Sequence, residues 1–136
     1  MVDDTLAQAG KALGLIALYT HGSQAEGHAR PDSDHDFAFL LPHGIEPGPV
    51  EDVLLPLLSK TFECDESEID LQNLREAPPY FRRRVFERGR LLLMGDATEL
   101  ARFHARSVSE DRDLKRYLKP FRQAMRERIR QGRYAC

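Results

Sequence analysis

Cysteine is scarce. Cys64 and Cys136 are the two in 136 residues, and they form neither a CxxC pair nor a zinc-ligand spacing. That excludes a disulfide-stapled scaffold, and both read as free thiols in a reducing compartment. Long apolar runs are also missing. Stretches such as Leu91–Met94 are far too short to span a bilayer. The opening MVDDTLAQAG is acidic and lacks the basic-then-apolar order of a secretion signal, so the cytoplasm is the expected compartment. No internal repeat or low-complexity tract occurs. What remains is 41% apolar and 31% charged, the balance of a soluble globular chain rather than a disordered one. Its length suits one domain with its own core.

Negative charge is not scarce, but it is unevenly placed. Residues 1–80 hold 4 Lys/Arg against 15 Asp/Glu, a formal −11, and residues 81–136 hold 16 against 7, a formal +9. The basic part suits an acidic partner, nucleotide phosphates or RNA. It equally suits a solvated arginine-rich helical face that neutralises the acidic half.

The spacing of apolar residues predicts a helix over Asp3–Leu13, closed by Gly14, and then the buried strand Leu15–His21. A second strand is predicted over His35–Leu41. A helix follows over Val50–Lys60, with Pro56 expected to kink or shorten it. The alternation in ESEIDLQNL gives a third strand with Asp70 between Ile69 and Leu71. Tyr80–Arg88 reads as a helix opened by Pro78-Pro79, with Phe81, Val85 and Phe86 toward the core. Arg90–Met94 reads as a short strand. From Ala97 to about Arg130 the spacing is helical, and Pro120 is expected to break or bend it into two helices. The predicted fold is α/β (α+β): a small mixed sheet of three to four strands with helices packed on one side. It forms a single domain over 1–136, with a core at about 15–95 and a helical segment at about 97–131.

The stretch YTHGSQAEGHARPDSDHDFAFL, residues 19–40, carries the chemistry. A strand delivers the chain to Gly22-Ser23. Glycine permits a sharp turn and close approach of a ligand. Ser23 is a good N-cap for a short helix over Gln24–Ala29, and a helix N-terminus binds phosphate oxygens. The next strand begins with Asp34 and Asp36. Alternation puts both carboxylates on one face, about 7 Å apart, and His35 on the other. Two carboxylates repel unless a cation sits with them, and Mg²⁺ takes such ligands while sharing itself with substrate phosphates.

Gly22-Ser23, ten intervening residues and Asp34-x-Asp36 together resemble the signature of nucleotidyltransferases of the DNA polymerase β superfamily. Gly27, Ala29-Arg30 and Ser33-Asp34 look like the minimal nucleotidyltransferases of prokaryotes, the MNT proteins paired with HEPN toxins. Asp70-Leu71 with Leu74 is similar to the place of the family's third carboxylate, and residues 78–95 again resemble the family. The likeness covers about residues 15–95. It implies that Asp34, Asp36 and Asp70 are catalytic and hold Mg²⁺, two ions, with Asp70 near the attacking hydroxyl. It implies that Gly22 and Ser23 hold the phosphates of ATP, assisted by Arg30 and Ser33. Arg30 is equally suited to a salt bridge with Asp32 or Asp34. The resemblance also implies an antitoxin that transfers AMP from ATP to a tyrosine of a cognate HEPN ribonuclease toxin, with no membrane or direct nucleic-acid role. A small-molecule nucleotidyltransferase and a non-catalytic antitoxin acting by binding alone are the alternatives. His21 stands where family members more often carry an aromatic. With no helical His-x3-His pair, His21, His28 and His35 read as structural or solvated. Glu26 would repel a triphosphate and is expected to face solvent.

Overall fold

A computed structural model of the chain describes residues 4–22 and 35–132. The first helix, α1 (Asp4–Leu13), stops at Gly14, whose φ of 73° is left-handed. Strand β1 (Ala17–His21) follows, then β2 (His35–Leu40), α2 (Pro47–Phe62) and a single 3₁₀ turn over Glu66–Glu68. Strand β3 (Ile69–Asn73), α3 (Pro79–Arg88), β4 (Arg90–Met94) and α4 (Ala97–Arg130) complete the order.

The four strands lie in the order β3-β2-β1-β4. β1 runs antiparallel to β2 and to β4, and β2 pairs with β3 in parallel. A parallel pair needs a crossover, and α2 provides it. The sheet is mixed, as expected, but its helices are not on one side. Leu18, Phe37 and Phe39 pack with Leu6 of α1 and Val50, Leu54 and Leu58 of α2. Ala17, Tyr19, Ala38 and Leu40 pack with Val85 of α3 and Leu100 and Phe103 of α4. The reason lies in β1 and β2 themselves. Each is a continuous apolar run rather than an alternating one, so each needs cover on both faces.

Neither Pro56 nor Pro120 shortens or divides its helix, contrary to that part of the expectation. α2 continues through Pro56, and α4 is one helix of 34 residues through Pro120. A helical proline frees the carbonyl four residues earlier. Here those carbonyls belong to Asp52 and Arg116, both exposed, so water can take the bonds that the helix loses. α4 opens on Asp96, whose carboxylate accepts from Glu99 N at 3.1 Å. Its first half lies on α3. There Arg82 bonds Glu110 at 3.2 Å, and Arg83 and Lys115 bond the buried Asp111 at 3.2 and 2.9 Å. From Arg112 to Arg130 every residue except Leu118 and Glu127 is exposed.

Candidate active site

Strand register builds the site. His21 at the end of β1 is the cross-strand partner of Asp36 near the start of β2, and Asp36 is the partner of Asp70 in β3. Paired residues share a face, so the three side chains stand abreast across three strands. They lie on the face that Ala38 and Leu40 cover deeper in, under α3. The helix spacing of α3 turns Phe81, Arg84, Val85 and Arg88 onto this row. Together with Gly22 these residues line a cleft of about 260 Å³. One wall carries two carboxylates and the facing wall two guanidiniums.

Gly22 is held at φ 75°, and it sits against Asp36: a Cβ added there would stand 2.5 Å from Asp36 Oδ2. The turn that closes β1 and the carboxylate that opens β2 therefore occupy adjoining space, which only glycine leaves open. Asp70 is exposed, and both its oxygens accept from Gln72 Nε2, at 3.1 and 3.2 Å. Asp36 is half-buried. This donor set, hard carboxylate oxygens from neighbouring strands, fits a divalent cation such as Mg²⁺.

His21, expected to be structural or solvated, has its ring in the lining of the cleft. It meets Phe81 edge-on, with centroids 5.4 Å apart at 89°. Burial lowers its pKa below the ordinary 6.5. That outweighs Asp36, a hydrogen bond with the Phe37 backbone and Asp70, which all favour the cation; Arg84 opposes it further. The ring is thus neutral at pH 7. Its buried Nε2 has no hydrogen-bond partner among the described residues.

The structure thus brings Gly22, Asp36 and Asp70 of the expected site into one cleft. Ser23, Arg30, Ser33 and Asp34, with Glu26, His28 and the helix expected over Gln24–Ala29, lie outside the described residues. Sequence reasoning missed Arg84 and Arg88. Their signal was the i,i+4 spacing of two arginines on a helix beginning just after the third acidic strand. A larger cleft of about 500 Å³ lies between α1 and β4. Its charged lining residues are Lys11 and Asp96, the second already used as the cap of α4. Among the described residues, no pair of acids lines it.

A family model described as polymerase beta nucleotidyltransferase matches residues 7–98. The chain belongs to that family. No curated protein matches it. Among solved structures, a chain of a toxin–antitoxin complex with AMP-PNP superposes with a TM-score of 0.70 at 19% identity, over 91% of this chain and 98% of that one. A chain of the toxin–antitoxin complex MntA-HepT gives 0.62 at 19% identity, over 89% and 93%. A complex of the tri-AMPylated Shewanella oneidensis HEPN toxin with an MNT antitoxin gives 0.63 at 18%, over 89% and 92%. At these identities the likeness shows the fold, which is the nucleotidyltransferase fold. Among the described residues no helix is long and apolar enough to cross a membrane.

Proposed function

We propose that this chain is an antitoxin with protein adenylyltransferase activity, transferring AMP from ATP to a tyrosine of a cognate HEPN ribonuclease toxin. The observation that carries the reading is the register that sets Asp36 beside Asp70, opposite Arg84 and Arg88. The similar folds seen with AMP-PNP and with a tri-AMPylated toxin support the nucleotide and the acceptor.

In this reading Asp34, Asp36 and Asp70 are the catalytic carboxylates and hold Mg²⁺, two ions. The metal, when bound, neutralises charge on the attacking and leaving oxygens. Gly22, Ser23 and Ser33 bind the triphosphate through backbone N–H groups and hydroxyls, and Arg30 adds a cation. Arg84 and Arg88 bind phosphate oxygens from the α3 side. The tyrosine oxygen forms a bond to the α-phosphorus, the bond to the β-phosphate oxygen breaks, and pyrophosphate departs. Asp70 is placed to accept the phenol proton. His21, neutral, offers Nε2 as a hydrogen-bonding group to whatever fills the cleft. The whole takes place in the cytoplasm, on a single-domain chain.

The partner surface in this reading is the outer part of α4. Leu114, Tyr117, Phe121, Met125 and Ile129 recur at helical spacing and are 41%, 67%, 61%, 47% and 51% exposed. Such a stripe on a soluble chain marks an interaction face. Lys115, Lys119, Arg122 and Arg126 flank it and suit an acidic rim on the toxin.

The test mixes the chain with [α-³²P]ATP, Mg²⁺ and the cognate toxin. Label is expected on the toxin, lost when its tyrosine is replaced and lost with the isosteric Asp36→Asn. Label on the toxin from Asp36→Asn at the wild-type rate would remove Asp36 from the reaction. Toxin neutralised without label would establish a binding antitoxin instead.

A further inference from the structure

We propose that His35, Cys64 and Glu68 form a binding site for one zinc ion, on the sheet face opposite Asp36. A ring nitrogen, the thiol sulfur and a carboxylate oxygen of these residues all lie within 4.8 Å of one another. Ligand atoms around a tetrahedral zinc, bonded at about 2.0–2.3 Å, stand about 3.5 Å apart. His35 and Cys64 are half-buried and Glu68 is exposed. Glu68, as the exposed member, is the one whose side chain is freest to adjust toward the ion.

Three separate backbone devices bring the ligands together. His35 opens β2 on the α2 side of the sheet, by alternation with Asp36. Beyond α2 the chain reverses at Glu63, in the left-handed region at φ 52°. Cys64 is then fixed from both sides: its N–H donates to Ser59 O at 3.1 Å, and Ser59 Oγ donates to its carbonyl at 2.5 Å. Glu68 ends the 3₁₀ turn that Asp65 caps through Ser67 N. The next residue, Ile69, is the register partner of His35. None of these constraints involves the nucleotide cleft.

The donor set selects the ion. A thiolate with an imidazole is a poor site for Mg²⁺ or Ca²⁺ and a good one for zinc, with the carboxylate as third ligand and water as fourth. The location also has a consequence. His35 precedes Asp36, and Glu68 lies two residues before Asp70. An ion here clips together the starts of the two parallel strands that carry the acids, from the reverse side of the sheet.

Cobalt serves as the spectroscopic probe. Chelator-treated full-length protein titrated with Co²⁺ is expected to show a thiolate-to-cobalt charge-transfer band that saturates at one equivalent. Zn²⁺ should abolish it and millimolar Mg²⁺ should not. Cys136→Ser should keep the band and Cys64→Ser should lose it. Glu68→Gln, at an exposed position that leaves the fold intact, should weaken Co²⁺ binding about tenfold or more. No band in the wild type, or a band of unchanged affinity in Cys64→Ser, would overturn the proposal. Neither result bears on adenylyl transfer, which these measurements do not use.

Discussion

Replacing Gly22 by alanine should separate the position of Asp36 from the stability of the fold. Two effects combine. At φ 75° an L side chain is strained by about 1–2 kcal/mol. The new Cβ also stands 2.5 Å from Asp36 Oδ2, where ordinary contact begins at 3.4 Å, so the carboxylate must retreat by about 1 Å. Misplacing a catalytic group by that much lowers rates about a hundredfold. Gly14 supplies the control. It has φ 73° and nothing within 4 Å of an added Cβ, so Gly14→Ala carries the strain without the displacement. Denaturant unfolding should therefore show both variants destabilised by about 1–2 kcal/mol. Label transfer from [α-³²P]ATP to the toxin, at a temperature where both are folded, should fall about a hundredfold in Gly22→Ala alone. Equal transfer by the two variants would refute the reasoning. It would mean that Asp36 does not hold the reacting groups.

The remaining expectations address other walls of the molecule. The double change Arg84→Ala, Arg88→Ala should weaken Mg-ATP binding by calorimetry about tenfold or more, since hydrogen bonds to charged groups contribute about 1.5–3 kcal/mol; unchanged affinity would leave the phosphates to β1 and its turn. His21→Phe keeps the edge contact with Phe81 and removes an Nε2 with no partner among the described residues, but it also removes the ring's hydrogen bond with the Phe37 backbone, so the two effects, each about 1 kcal/mol, should nearly cancel; a Tm lowered by several degrees would show that Nε2 is satisfied. Lys115, working against burial, and then Arg83 hold the Asp111 carboxyl below the ordinary 3.8. Its contribution is thus complete above that value and fades as pH falls through the lower folded one. Asp111→Asn should lower Tm at pH 7, with the gap closing below about pH 4; a gap constant with pH would locate the effect in packing. Tyr117→Glu with Phe121→Glu should abolish toxin binding and spare Mg-ATP binding, whereas retained toxin binding would move the interface off α4.

The elements that sequence reasoning placed best were those with one dominant signal. β4 appears over Arg90–Met94 as expected, and β1 and β2 differ from expectation only at their ends. The neighbouring positions of Asp36 and Asp70 have a related reason. Asp70 stood out because it interrupts an apolar alternation, and strand register then set it beside Asp36. Cover on both sheet faces was also written in the unbroken apolar runs, but was not drawn from them. What the chain could not reveal is the division of labour within Arg82, Arg83 and Arg84. Three consecutive arginines look alike as a charge run, yet each is turned by about 100° from the last on a helix. Arg82 donates to the Leu74 and Arg75 carbonyls, at 2.8 Å each, and its guanidinium stacks 4.8 Å from the Phe103 ring. Arg83 pairs with Glu87 and Asp111. Arg84 faces the acids across the cleft. The same rotation brings Arg88, one turn on, to that wall. A net positive charge therefore has three distinct destinations: a loop, a neighbouring helix and a candidate phosphate site. Only the phase of α3 against the sheet assigns them. That phase is set by Val85, which is buried in the same core cluster as Tyr19 and Leu40, so the apolar residue in the middle of the run decides what the arginines around it can touch.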